Sequence, residues 1–65
     1  MDLLTIEINN QKYTYIDSTN LDNKEYIAYM DDEFVYVKEC LKNKELYFKD
    51  VSDEIYQKVI EVLDL

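Results

Sequence analysis

The chain of 65 residues contains neither glycine nor proline, and this absence restricts how it can reverse direction. Glycine usually occupies turn positions that need a positive φ, and proline pre-forms many other turns. Asparagine and aspartate are the remaining residues that tolerate positive φ best. Reversals are therefore expected at four clusters of these residues: Asn9-Asn10, residues 18–23, residues 31–33 and the vicinity of Asn43.

Residues 3–8 and 11–16 are β-rich segments separated by two asparagines, which predicts an antiparallel hairpin. A two-residue loop of type I′ needs positive φ at both positions, and asparagine can supply it. The loop implies the pairs Ile8 with Gln11, Glu7 with Lys12, Ile6 with Tyr13, Thr5 with Thr14 and Leu4 with Tyr15. Opposite-charge and aliphatic–aromatic pairs of this kind each stabilise a sheet by roughly 0.2–1 kcal/mol.

After a predicted connection at residues 18–23, the third and fourth strands are residues 24–30 and 34–41. A loop centred on Asp32-Glu33 sorts their side chains onto two faces more cleanly than the alternative register, which pairs Ala28 with Tyr36. The preferred pairs are Met30 with Val35, Tyr29 with Tyr36, Ala28 with Val37 and Ile27 with Lys38. One face then carries Tyr26, Ala28, Met30, Val35 and Val37, and the other carries Ile27, Tyr29 and Tyr36.

A fifth strand is predicted at residues 45–51, after a turn at residues 42–44, and two registers remain open for it. A tight turn matches Leu41 with Leu46 but sets Lys38 against Lys49. A wider turn matches Glu39 with Lys49, Lys38 with Asp50 and Val37 with Val51.

Residues 52–65 change from a period of 2 to a period of 3.6, which predicts a helix of about three turns with a wide apolar stripe. Ser52 is the expected N-cap, followed by two acids at the positive end of the helix dipole. A helix this short needs to pack on the sheet. The predicted fold is α+β: a five-stranded antiparallel meander, open or curled toward a barrel, with the C-terminal helix on one face, in a single domain of residues 1–65.

The net charge is −8, from 15 acids and 7 basic residues that are all lysine. Such a chain repels phosphate backbones and anionic membrane surfaces, so we expect no direct nucleic-acid binding and no membrane binding. It is steered instead toward basic partners. A lone cysteine, Cys40, permits no internal disulfide and suits a reducing compartment. The first ten residues do not resemble a signal peptide, so the expected location is cytoplasmic.

The residues needed for common catalytic chemistry are absent. The chain has no histidine, so neither Ser18 nor Ser52 has an imidazole to activate it. Without glycine or a Cys/His set, no phosphate loop and no zinc site can form. Glu39 alternates with apolar residues but is expected to be a rim carboxylate beside Lys49. The acidic loops at residues 17–23 and 31–33 do not follow the spaced calcium pattern. We expect no enzyme, no cofactor and no metal.

The stretches LDNKEYIAYM (residues 21–30) and LYFKDVSDEIYQKVIEVL (residues 46–63), with FVYVKE between them, resemble the YrzB-type family of small acidic bacterial proteins, a domain of unknown function. The resemblance covers about the last two-thirds of the chain and lies in pattern and order. It implies the same strand order and closing helix. It implies no activity and no functional residues.

Two functional interpretations follow, beside a purely structural interpretation of the tyrosines. The leading one is a non-enzymatic protein-interaction module that uses a tyrosine-bearing sheet face or an edge strand, with Ile27, Tyr29 and Tyr36 as candidate partner-binding residues. Its partner is an unidentified protein, basic in view of the charge, or a second copy of the chain in a homodimer. The alternative function is an acidic DNA mimic that inhibits a basic nucleic-acid-binding protein. In the structural interpretation, a curled first hairpin covers the tyrosines, or they stay half-exposed, and no partner is required.

Overall fold

The computed structural model describes residues 4–42 and 46–65, and it confirms the predicted α+β fold. The elements are β1 (Thr5–Ile8), β2 (Gln11–Leu21), β3 (Lys24–Met30), β4 (Val35–Lys42), β5 (Leu46–Asp50) and α1 (Asp53–Leu63). The strands form one antiparallel sheet in sequence order, curled into a half-barrel. The helix lies on one face, and the other face is concave.

The first hairpin confirms its predicted turn and register. Asn9 and Asn10 have φ values of 52° and 66°, both in the left-handed region that a type I′ turn requires. Ile6 lies opposite Tyr13, so an aliphatic side chain meets an aromatic one on the concave face. Leu3, the first residue of the predicted hairpin, lies outside the described residues.

The predicted connection at residues 18–23 is wrong, because β2 continues through it to Leu21. The reversal is again a two-residue turn, in which Asp22 and Asn23 have φ values of 52° and 65°. The polar run before the turn is extended and pairs with β3, with Thr19 opposite Tyr26. Polar residues on an exposed sheet surface look like a loop in sequence, but their backbone completes the ladder.

A β-bulge interrupts the long strand β2 at Ile16. Tyr15 lies opposite Tyr29, whereas Asp17 lies opposite the adjacent residue Ala28. The extra residue, Ile16, packs against the core on the helix side. Bulges bend a strand and increase its local twist, so this one contributes to the curl of the sheet.

The remaining ladders settle the other two registers. Tyr29 lies opposite Tyr36, as the preferred register predicts. Between β4 and β5, Glu39 lies opposite Lys49, which is the register of the wider turn. The predicted turn at residues 42–44 and the start of strand 45–51 fall partly on residues 43–45, outside the described part of the chain.

The helix begins where the sequence predicts, after Ser52, and it ends at Leu63 within the predicted segment of residues 52–65. The Ser52 Oγ accepts a hydrogen bond of 3.2 Å from the Ile55 N–H, which confirms the predicted N-cap. Asp64 adopts a left-handed conformation, with φ 58°, and the N–H of Leu65 donates to the carbonyl of Ile60 at 3.0 Å. This C-terminal arrangement usually uses glycine, and aspartate replaces it in a chain without glycine.

The core between helix and sheet is small and mostly aliphatic. Its buried members are Tyr26, Ala28, Val37 and Val59. The Tyr56 hydroxyl donates to the Val35 carbonyl at 2.8 Å and so ties the first turns of the helix to β4. Met30, expected in this core, is 40% exposed, because it is the last residue of β3 and lies at the end of the sheet.

Candidate functional site

The three predicted partner-binding residues all lie on the concave face, where the curl covers two of them. Ile27 is 5% exposed and Tyr29 is 3% exposed. Tyr36, on the neighbouring strand β4, is half-buried. Ile27 and Tyr29 thus form the floor of the concave face, and a partner approaching this face meets other side chains first.

Tyrosine rings from three strands pack together on this face. The ring of Tyr29 stacks on that of Tyr36 with centroids 5.3 Å apart. Tyr13 of β2 meets Tyr29 edge-on at 4.9 Å and Tyr36 edge-on at 5.7 Å. Such arrangements stabilise by about 0.5–1.5 kcal/mol per pair beyond the burial of area. We name Tyr13, Tyr29 and Tyr36 the tyrosine cluster.

A short network anchors the tyrosine cluster to the β3–β4 loop. The Tyr36 hydroxyl donates to Asp31 Oδ2 at 2.7 Å. The other carboxylate oxygen of Asp31 accepts from the N–H groups of Glu33 and Phe34, each at 2.8 Å. The bonds from Phe34, Glu33 and Tyr36 lower the pKa of Asp31. The bond to Asp31, together with desolvation, raises the pKa of Tyr36 to about 12.

Tyr29 is the least exposed member of the tyrosine cluster. Burial raises the pKa of its hydroxyl, with smaller contributions from nearby Tyr13 and Asp50. Both this tyrosine and Tyr36 therefore stay neutral at physiological pH. The cluster acts as packing on the concave face and not as a source of charge.

A groove opens on the concave face beside the cluster, where the sheet does not close on itself. Its volume is about 520 Å³. Side chains from every strand and from the residue that precedes β1 line it: Leu4, Thr5, Ile6, Tyr15, Ser18, Glu25, Ile27, Cys40, Lys42 and Phe48. Most of this lining is apolar, and Leu4 at its rim is 68% exposed. We name this feature the concave groove.

The charged groups of the concave face lie in two places. Glu25 and Lys42 line the concave groove. Toward the other end of the face, Lys38 forms an ion pair with Asp50. The hydrogen bond that Lys38 donates to Asp50 and the positive charge of Lys38 lower the pKa of Asp50. The apolar floor of the groove thus has polar groups at its margin.

Cys40 lies in the wall of the concave groove and is half-buried. Burial, followed by the nearby Glu25 carboxylate, raises the pKa of its thiol. A thiol with a raised pKa carries little thiolate at neutral pH, so it is a poor nucleophile. Its position indicates a packing role, as the sequence predicts for a small apolar strand residue.

The residues considered for chemistry are not assembled into a site. Glu39 lies on the helix face opposite Lys49, away from the concave groove. Within the described ranges, 4–42 and 46–65, no group of three or more acids, histidines or cysteines is arranged to hold a metal ion. In the same ranges, no helix is long and apolar enough to cross a membrane.

No family model matches this chain, and no curated protein or solved structure is significantly similar to it. The resemblance to the YrzB-type family therefore stays a prediction. The site has to be interpreted from its own geometry.

Sequence reasoning found the floor of the groove but missed its rim. The prediction for the first hairpin pairs Leu4 with Tyr15 and Ile6 with Tyr13, and the prediction for β3 and β4 places Ile27 on a separate face with Tyr29. The signal that joins these two sets is the turn at Asp22-Asn23, because it pairs β2 directly with β3 and merges both sets into one concave face. Phe48 was missed because the register of β5 stayed open.

Proposed function

We propose that the protein is a non-enzymatic interaction module of the cytoplasm, and that the concave groove is its partner-binding surface. The observation that supports this proposal is an apolar groove with an exposed leucine at its rim. The other face of the sheet is occupied by the helix of the same chain. Ile27 supplies the floor of the binding surface. Tyr29 and Tyr36 support that floor as members of the tyrosine cluster.

The charge of the chain favours a basic protein as the partner. Its net charge of −8 creates a field that attracts cationic surfaces and speeds their encounter. Apolar contact in the groove then supplies most of the binding free energy, since buried apolar and aromatic anchors dominate most interfaces.

The DNA-mimic alternative is less favoured by the placement of the carboxylates. A mimic needs its acids in a row along one face. Here they are distributed over opposite ends of the sheet, with Asp22 in the β2–β3 turn and residues 31–33 in the β3–β4 loop, and on the helix at Glu54 and Glu61. This distribution suits general steering of a basic partner.

A photo-crosslinking experiment tests the proposed function. The photoreactive residue p-benzoylphenylalanine replaces Leu4 in one variant and Val62 in the other. Val62 is 53% exposed on the helix, so it is a matched control outside the groove. A protein that crosslinks to the photoreactive residue at position 4 and not to the one at position 62 is then purified. Its affinity for the unsubstituted chain is measured by calorimetry.

The decisive comparison uses the substitutions Leu4→Asp and Val62→Asp. A charge in the groove wall would be buried on binding, so Leu4→Asp should weaken the affinity at least about tenfold. Val62→Asp should change it less than about twofold. Equal affinities for both variants, or equal capture from both positions, would place the binding surface elsewhere.

A further inference from the structure

The number of strands leaves the half-barrel with two parallel edges. Every neighbouring pair in the sheet is antiparallel, so β1 and β5 run in the same direction. Among the described residues, β1 pairs with β2 alone and β5 with β4 alone. The outer backbone N–H and C=O groups of both strands are therefore available for another strand.

The two edges border the same hollows. Leu4, Thr5 and Ile6 line the concave groove together with Phe48 of β5. A second hollow of about 380 Å³ is lined by residues of both edge strands, including Ile8 of β1 and Tyr47 of β5. We name the gap between β1 and β5 the seam. The concave groove is thus the apolar floor beneath the seam.

We infer that an extended segment of a basic protein inserts into the seam as a sixth strand, a mode that rests on the proposed function and specifies it. Because β1 and β5 run in the same direction, one inserted strand can be antiparallel to both. Every pair of neighbouring strands in the completed sheet would then be antiparallel. Its backbone would pair with two edges at once. With β1 of 4 residues and β5 of 5, the paired part of the segment is about five residues long.

The seam also specifies the side chains of the segment. Successive side chains of a strand point to opposite faces. Every second residue therefore enters the groove among Leu4, Ile6 and Phe48, and should be apolar. The residues between them face outward beside Glu7 of β1. Lys49 of β5, which also faces outward, lies opposite Glu39 in its own sheet.

Charge argues for lysine or arginine at those outward positions and against a second copy of this chain. A partner strand from another copy would bring a second net charge of −8 against the first, and like charges oppose such an association. A cationic segment gains from the same field. The occupant is therefore an alternating apolar and basic strand from a different protein.

Synthetic peptides test the inference with the intact chain. The probe is a nine-residue peptide that alternates valine with lysine. One control has the same composition with all valines in one block and all lysines in another. In two further controls the alternating peptide is N-methylated at every valine or at every lysine. Successive residues of a strand donate toward opposite neighbours, so each N-methylated peptide loses its donors to one edge.

Backbone amide NMR reads the position of the peptide, and hydrogen exchange reads new backbone pairing. We expect the alternating peptide to shift and protect amides of β1 and β5, with contacts between its valine methyls and the side chains of Leu4 and Phe48. The block peptide and both N-methylated peptides should bind at least about tenfold more weakly. Leu4→Asp should weaken the alternating peptide, while Val62→Asp should not.

Four results would overturn the inference. The block peptide could bind as well as the alternating one, which indicates general attraction to the acidic surface. The shifts could centre on the helix. Light scattering could show that the chain alone is a dimer and that Leu4→Asp makes it monomeric, which would make a second copy the occupant. If a groove partner identified by crosslinking is lost with Leu4→Asp and yet these peptides fail, the proposed function stands and the inserted strand does not.

Discussion

The two faces of the sheet bury their side chains in different ways. The helix face is covered by a separate element, α1, which presses Val59 onto Ala28 and Val37. Among the described residues, the concave face is covered by the curl of its own strands, which brings Tyr13 over Tyr29 and Tyr36. A single helix of 11 residues buries the centre of one face. Curling covers the tyrosines but leaves a groove where the edges do not meet.

The difference shows how a short chain divides its apolar residues. A domain of this size buries only about 60% of the surface that its unfolded chain exposes. The aliphatic residues Ala28, Val37 and Val59 lie where the helix approaches the sheet, and the three rings of the tyrosine cluster lie where the sheet fills its own concavity. The open part of the concave face is then the surface that remains for binding.

The largest effect is expected where the helix closes its face. Val59 is 0% exposed, so Val59→Asp buries an unpaired charge. The cost should exceed the free energy of unfolding of a small domain, which is roughly 5 kcal/mol at the low end. Circular dichroism should show that this variant is unfolded. The control Val62→Asp, exposed on the same helix, should stay within about 0.5 kcal/mol of the parent in urea unfolding. Native-like melting of Val59→Asp would mean that the helix does not close this face.

The concave face should respond strongly to loss of the central tyrosine. Tyr29→Ala removes a buried ring from the tyrosine cluster and should lower the free energy of unfolding by about 3 kcal/mol. Tyr47→Ala provides a control of the same residue type, because Tyr47 is 51% exposed; it should change stability by less than about 0.5 kcal/mol. Equal losses from both variants would show that the cluster does not act as a second core.

The first turn tests how the curled first hairpin is held in place. Asn10 has φ 66°, so Asn10→Val forces a β-branched residue into the left-handed region and should cost about 1–3 kcal/mol. Asn10→Gly should keep or raise stability because glycine adopts this conformation without strain. Asn20→Val is the matched control within β2, where a β-branched residue suits the strand. A ranking with valine above glycine at position 10 would contradict the type I′ turn.

The smallest effect concerns the network between Tyr36 and Asp31. The raised pKa of Tyr36, to about 12, means that its stabilisation is complete below the ordinary tyrosine pKa of about 10 and is lost as pH rises through the folded value. The lowered pKa of Asp31 gives stabilisation above its ordinary pKa that is lost as pH falls through the lower folded value.

NMR of ¹³C-labelled tyrosine rings measures this directly. Asp31→Asn should bring the pKa of Tyr36 down toward about 10 and should reduce the loss of stability in acid. Asp32→Asn changes the net charge equally and serves as the control. If both variants leave the titration of Tyr36 unchanged, the hydrogen bond between Tyr36 and Asp31 is not formed in solution.

Turn chemistry and side-chain pairing were enough to predict most of the fold. Asn9-Asn10 determined the first register, and the alternation around Asp32-Glu33 determined the central one. The end of β2 was missed because residues 18–20 are small and polar, although Asp22-Asn23 has the same turn chemistry as the first loop. With no proline or glycine to mark a boundary, a polar strand and a loop have the same composition.

The groove depends on features that have no local signature. The bulge at Ile16 and the resulting curl arise because a twisted sheet adjusts to the helix on one face and the aromatic rings on the other. Ile27 and Tyr29 could be assigned to a face from alternation alone. That Leu4 and Phe48 converge above that face follows only from the three-dimensional bending of the sheet.

The order of the strands has a consequence for how fast the chain reaches this structure. Each strand pairs with the strand that precedes or follows it in sequence, so most contacts close short loops, and low contact order favours rapid folding. The chain also lacks proline, whose isomerisation causes the slow phases of tens of seconds, about 10–100 s, in many refolding experiments. Stopped-flow refolding should therefore give one fast exponential phase with no slow component.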